Sequence, residues 1–208
     1  MRILHVDSSP KGDTSNSKRL GQCFIEALSA HHNDIEIDYL DLTENPLPHV
    51  DTTFARAIYK PESERTEEMK QHLALSDSLC QQLLSANAIV LGIPMHNWCY
   101  PSVFKSYIDH VTRGGLTYHF DENGNIVGNL NEQKFLFITT RGVNLSNTSP
   151  LASMDALTPA LKAAFGFIGA EHMTFVDAQP LQFADQQAHQ AALDEATQSL
   201  VTLAKNWL

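Results

Sequence analysis

The run Ala88-Ile89-Val90-Leu91-Gly92-Ile93 is apolar or glycine at every position and stops at Pro94. A strand with one wet face would alternate, so this run reads as a strand buried on both faces. Such a strand needs a layer above and a layer below, which means a parallel sheet held between helices. The preceding segment fits that demand. From Glu67 to Ser85, Met69, Leu73, Cys80, Leu83 and Leu84 gather on one side of a long helix.

The rest of the chain repeats the same alternation. Ile3-Leu4-His5-Val6 is a first buried strand, followed by a loop rich in hydroxyl side chains and a helix beginning near Lys18, with Leu20, Cys23, Phe24, Ala27 and Leu28 on its inner stripe. Ile35 to Leu40 alternates with period two and reads as a second strand nearer an edge. A long connection from Leu42 to Glu64 carries a short helix around Thr53 to Ile58. A helix from Ser102 to Val111 follows Pro101, and Asn123-Gly124 between two apolar runs predicts a hairpin. Lys134 to Thr140 is the fourth strand, Leu157 to Ile168 a helix stopped by Gly169, His172 to Val176 the fifth strand, and Asp185 to Trp207 the last helix. The economical arrangement is an α/β three-layer sandwich, a five-stranded parallel sheet in the flavodoxin-like order 2-1-3-4-5, with residues 1–208 forming one domain.

Composition narrows the partners. The formal charge of −10 argues against nucleic acid and anionic membrane surfaces, which require clustered Lys and Arg. The longest apolar runs are strand-length, so no membrane span is expected. Cys23, Cys80 and Cys99 are odd in number and widely spaced, indicating neither a disulfide framework nor a zinc knuckle. With the first strand beginning almost at Met1 and no room for a signal peptide, a cytoplasmic location is expected. None of the ten histidines shows the i, i+4 pairing of a helical metal site, so no metal is expected.

In the order 2-1-3-4-5, ligands collect beyond the carboxyl ends of strands one, three and four. The loops at those ends carry complementary chemistry. After strand one, Ser9, Ser15, Asn16 and Ser17 bring hydroxyls and helix-start amides suited to a phosphate, although the same residues also serve as ordinary helix caps. After strand three, Pro94-Met95-His96-Asn97-Trp98 offers an amide, a thioether and a broad aromatic. After strand four, Thr140-Arg141-Gly142-Val143 exposes backbone amides beside a glycine. Both G-x-G-x-x-G and the Gly-Lys-Ser/Thr phosphate loop are missing, which disfavours dinucleotide and P-loop classes. What the three loops suit is a flat heterocycle with a phosphate tail, the shape of flavin mononucleotide (FMN). Plainer readings stand beside this one: His96 as a solvated loop residue, Cys99 as packing, Arg113 and Arg141 as structural ion-pair partners, and Trp98 and Phe120 as core.

Ser8-Ser9 with Ser15-Asn16-Ser17, Ile93-Pro94-Met95-His96-Asn97-Trp98, the helix end from Tyr107-Ile108-Asp109 to Gly115, Thr139-Thr140-Arg141-Gly142, and Phe165-Gly166-Phe167-Ile168-Gly169 occur in order along the chain. Together they resemble the FMN-dependent NADH:quinone oxidoreductase and azoreductase family over essentially the whole sequence. The resemblance implies a homodimer holding one FMN per subunit. Ser9 and Ser15 to Ser17 would sit on its phosphate, Met95 to Trp98 along its ring, and Thr140 to Gly142 at its pyrimidine edge. It implies ping-pong chemistry: a hydride passes from NADH or NADPH to flavin N5, then two electrons pass to a quinone or an azo compound, with reductive cleavage of aromatic azo bonds taking two such rounds. No side chain acts as nucleophile, so no catalytic residue is expected apart from the flavin. Trp98 and Phe120 are the expected substrate walls, Phe120 from the hairpin and across a dimer. Trp98 stands where the family has Phe, His96 where it often has Tyr, and Val143 where it has a second Gly, a β-branched residue ill suited to φ > 0. The alternative is a single-electron carrier of the flavodoxin type with no small-molecule substrate of its own. The long connections after strands two and three favour a built substrate pocket.

Overall fold

Strand β3 (Ala88–Pro94) is the middle of five parallel strands, and it is paired on both sides. In the computed structural model, which describes residues 1–208, the other strands of this sheet are β1 (Arg2–Asp7), β2 (Glu36–Asp41), β6 (Lys134–Thr140) and β7 (His172–Ala178), ordered β2-β1-β3-β6-β7. A separate antiparallel pair, β4 (Tyr118–Phe120) and β5 (Ile126–Gly128), forms the hairpin that Asn123-Gly124 predicts. The expected order 2-1-3-4-5 is therefore the observed one, counted over the parallel strands alone.

The register explains the two apolar faces. Val6, Leu91, Phe137 and Phe175 are lateral partners in one row. Alternate residues Leu4, Val6, Ile89, Leu91, Ile93, Phe135 and Phe137 pack on one face with Leu79 and Leu83 of α3 (Glu67–Ser85), Phe104 and Tyr107 of α4 (Ser102–Val111), and Leu161 and Phe165 of α5 (Leu157–Phe167). Ile3, Ala88, Val90, Leu136 and Ile138 face the other way, against Leu20, Phe24 and Leu28 of α1 (Asn16–His31) and Ala196 and Leu200 of α6 (Gln186–Ala204). Each large side chain so buried contributes about 1.5–3 kcal/mol. The remaining helix, α2 (Thr52–Ile58), lies in the long connection and packs Phe54 and Ala57 against Leu73 of α3. No helix is long and apolar enough to cross a membrane.

Gly92 has a specific reason to interrupt the apolar run. A Cβ there would come 2.1 Å from Oδ1 of Asp7, a buried carboxylate that accepts the Tyr39 hydroxyl at 3.0 Å. Beside it, the buried Asp41 carboxylate binds Lys18 and Thr43. Burial pushes Asp41 up, but the Lys18 and Thr43 hydrogen bonds outweigh it and hold the carboxyl below its usual range.

Three boundaries differ from the sequence reading by two residues or more. The first helix starts at Asn16 rather than Lys18, because Ser15 caps it by accepting from the Lys18 amide at 3.3 Å. The fifth parallel strand runs past Val176 to Ala178, because Asp177, which reads as a strand end, is paired with Arg141 at 2.6 Å and with Thr139. The last helix ends at Ala204, leaving Trp207 beyond it with its ring edge-on to Phe24.

The hairpin is pinned by two glycines. A Cβ on Gly128 would sit 2.1 Å from the Gly169 nitrogen, and Gly169, at φ 104°, could not move aside without losing its helix-ending turn. Gly128→Ala should therefore cost about 2 kcal/mol or more by forced overpacking. Urea denaturation checks this, and a loss below half that amount would show the contact to be soft.

Candidate active site

Because the large sheet is parallel, the carboxyl ends of β1, β3, β6 and β7 all open on one rim. Main-chain bonds hold the four exits together: Ser8 N–H donates to Gly92 O at 3.1 Å, Met95 N–H to Thr140 O at 2.8 Å, and Arg141 N–H to Ala178 O at 3.0 Å. Above them lie two contiguous compartments of a cleft, about 430 and 470 Å³, sharing Met95, His96, Gly142 and Gln182.

The first compartment is the polar one. It is lined from β1 and α1 by Ser9, Lys11, Ser15 and Asn16, from β3 by Pro94, Met95 and His96, and from β6 by Thr140, Arg141 and Gly142. The amides of Ser9, Asn16 and Ser17 have no intramolecular acceptor, and two of them are the first N–H groups of a sixteen-residue helix. Ser17 does not line the cleft. It is buried, with its Oγ 3.1 Å from Ser15 Oγ, so it orients Ser15 from behind.

The second compartment is aromatic. Asn97 and Trp98 join it to the first through a two-residue turn in which His96 and Cys99 exchange main-chain bonds of 2.8 and 3.0 Å. Both turn residues have positive φ, 47° and 74°, as a type I′ turn requires. Asn tolerates that conformation, whereas Trp pays about 1–2 kcal/mol for it. The result is an indole held 39% exposed beside the cleft, with the Asn97 and Trp98 amides unpaired. Across from this turn the Gly142 and Val143 amides are also unpaired. Neither residue has positive φ, so the β-branched Val143 fits without strain.

One expected site residue gives the cleft its backbone rather than its side chain, and another lies outside the cleft. The Arg141 guanidinium is buried in ion pairs with Asp177 at 2.6 Å and Asp155 at 3.4 Å and bonds Thr158 Oγ1 at 2.7 Å. It ties β6, β7 and the start of α5 together, which is the structural role weighed for it, and leaves backbone for the cleft. Arg113 is likewise structural, paired with Asp77 at 2.9 Å. Phe120 lines neither compartment. It stands 64% exposed on the hairpin, edge-on to Tyr118.

The structure adds Lys11, Leu181, Gln182, Phe183 and His189 to the cleft. Four of these follow β7, whose loop adjoins the β6 exit. A large aromatic in the short Gln182-Phe183-Ala184-Asp185 turn was the available signal. Lys11 bears on His96: burial, then the nearby Lys11 charge, lowers the imidazole below its ordinary range, keeping it neutral at pH 7.

A flavodoxin-like fold family model matches residues 1–202. Among curated proteins, an FMN-dependent NADH:quinone oxidoreductase of Nostoc sp. strain PCC 7120 is 40% identical over 174 residues, 84% of each chain. One of the same name from Alcanivorax borkumensis is 37% identical over 176 residues, 85% of this chain and 86% of that one. This chain belongs to the FMN-dependent NADH:quinone oxidoreductase family. Among solved structures, an FMN-dependent NADH-azoreductase from Bacillus anthracis, in complex with FMN, matches with TM-score 0.83 at 28% identity, covering 98% of this chain and 99% of that one. An azoreductase from another strain of that organism superposes at TM-score 0.89 with 24% identity over 99% of both chains, a likeness of fold. Three of the five motifs that carry the family resemblance in the sequence lie on the loops that meet at the rim.

Two outcomes follow from this geometry. Trp98→Gly and Trp98→Ala both delete the indole, but only Gly relaxes the backbone, so the Gly variant should be the more stable by about 1 kcal/mol, reversing the usual order. Equal thermal stabilities would show that position 98 is not left-handed. Lys11→Gln removes a like charge and should raise the His96 pKa toward the ordinary histidine value while burial keeps it below. Proton NMR titration, with His96→Gln for assignment, reads the shift, and an unchanged or lowered midpoint would count against the pairing.

Proposed function

We propose that this protein is an FMN-dependent NADH:quinone oxidoreductase that also reduces azo compounds, with residues 1–208 acting as one FMN-binding domain. The observation that carries the reading is the set of hydroxyls and of amides without acceptors on three separate loops that meet at one cleft, polar at one end and aromatic at the other. Those donors suit a phosphate at the start of α1 and the carbonyl-bearing edge of a heterocycle between Asn97 and Gly142. The volume of each compartment falls in the range of ordinary small-molecule sites.

In this reading Ser9, Ser15 and the Asn16 and Ser17 amides hold the phosphate, with Ser17 Oγ fixing the Ser15 hydroxyl. Local donors must do this in a chain of charge −10, and Lys11 supplies the one flexible cation at that end. Pro94, Met95, His96 and Thr140 line the body of the cofactor, and the amides of Asn97, Trp98, Gly142 and Val143 donate to its edge. FMN held there would supply two-electron chemistry between NADH and a quinone or azo acceptor. The protein's donors are preorganised and favour an electron-rich ring, and neutral His96 adds no charge of its own. Trp98 walls the space above. Phe120 joins it only from a second copy of the chain, and the exposed Phe120, Ile126, Val127 and Phe167 support a homodimer with the hairpin at its seam. A cytoplasmic setting agrees with three free cysteines.

Purified protein mixed with FMN should turn yellow, retain about one flavin per chain after gel filtration, and oxidise NADH with a small quinone as acceptor. A colourless protein would end the reading. Ser9→Ala should weaken FMN about ten- to a hundredfold, the worth of one hydrogen bond to a charged group, measured by flavin fluorescence quenching. Unchanged affinity would remove Ser9 from the phosphate site.

A further inference from the structure

Phe183 is a large aromatic left 77% exposed on a segment that is held unusually firmly. Three main-chain bonds stitch that segment to the β6 exit: Leu181 N–H donates to Arg141 O at 2.9 Å, and Gln182 and Phe183 N–H both donate to Gly142 O, at 3.0 and 2.9 Å. His189, in the first turn of α6, places its Nδ1 2.6 Å from the Leu181 carbonyl and fixes the same segment from the other side. The Arg141 carbonyl is itself anchored, because its guanidinium is buried between Asp155 and Asp177.

The ring's position is equally defined. A Cβ on Gly142 would lie 3.5 Å from Cδ2 and Cε2 of Phe183, so the ring rests against a glycine that lines both compartments and whose amide has no acceptor in the chain. Phe183 and Trp98 line the same 470 Å³ compartment, with Met95 and Val143 as its other apolar members. Two exposed aromatics on rigid backbone, with amide donors around them, make a slot for a flat molecule that is apolar across its faces and bears an acceptor at its edge.

We propose that Phe183 is a specificity-determining residue that selects fused two-ring acceptors, such as naphthoquinones, over single-ring ones. The reason is reach: a second ring extends the stacked area onto Phe183, while a single ring is already covered by Trp98. This assignment rests on the FMN-dependent reading above, since the acceptor's electrons would come from bound FMN.

The test uses FMN-loaded protein and two readouts. In the first, redox-inert 2-naphthoate and benzoate are titrated and their binding followed through the flavin difference spectrum. Phe183→Ala should weaken 2-naphthoate about tenfold and benzoate less than twofold, an effect of the size expected for one aromatic pair with its buried area. In the second, kcat/KM for 1,4-naphthoquinone relative to 1,4-benzoquinone should fall by a similar factor, and Phe183→Tyr should restore both. Equal losses for one- and two-ring ligands would overturn the assignment, as would a Phe183→Ala variant that keeps its selectivity but changes its sedimentation, which would make the ring an interface residue. Wild-type protein that takes up no FMN would instead overturn the underlying reading, and the wall with it.

Discussion

The central strand is paired on both edges and covered on both faces, and its neighbours share one arrangement: all run the same way, and all exit on the same rim. That constraint begins with the apolar run at Ala88–Ile93 and propagates through the register to Phe137 on one side and Val6 on the other. The helices supply burial and the ladder supplies direction. What remains for the loops is to be polar, and the rim of the sheet is where the polar groups accumulate without partners in the chain itself.

The sheet also hides its own charges close to that rim. Asp7 fills the space that a side chain at Gly92 would take, Asp41 is held by Lys18, and Arg141 is clasped by two carboxylates. Burying a charge without such partners would be costly, so each cluster removes freedom from the loop beside it. Lys18 and Asp41 brace the start of α1, and Arg141 braces the exits of β6 and β7. The cleft is thus rigid for reasons that lie one layer below its surface.

Most of this was legible in the sequence, because hydrophobic period and turn residues act locally. The five parallel strands, the hairpin at Asn123-Gly124 and the bounds of α3 and α4 follow from patterns within a dozen residues. So do the loops of the cleft, as far as they belong to the switch point. What was not legible depends on partners far away in the chain. Asp177 looks like the end of a strand until Arg141 is seen beside it, and Phe183 looks like a loop residue until Gly142 is seen beneath it. The left-handed backbone at Trp98 carries no signal in its own letter, since the usual glycine is absent and the His96–Cys99 pairing enforces the conformation.

The N–H groups left unmatched on three loops bear on what the cleft will refuse. Facing water they are hydrated at little expense, but any greasy occupant lacking oxygen or nitrogen at its border would strip that hydration and offer nothing back. Hydrocarbon alone is therefore disfavoured in spite of the aromatic walls, and discrimination is built into the main chain, where no single side-chain substitution other than to proline removes a donor.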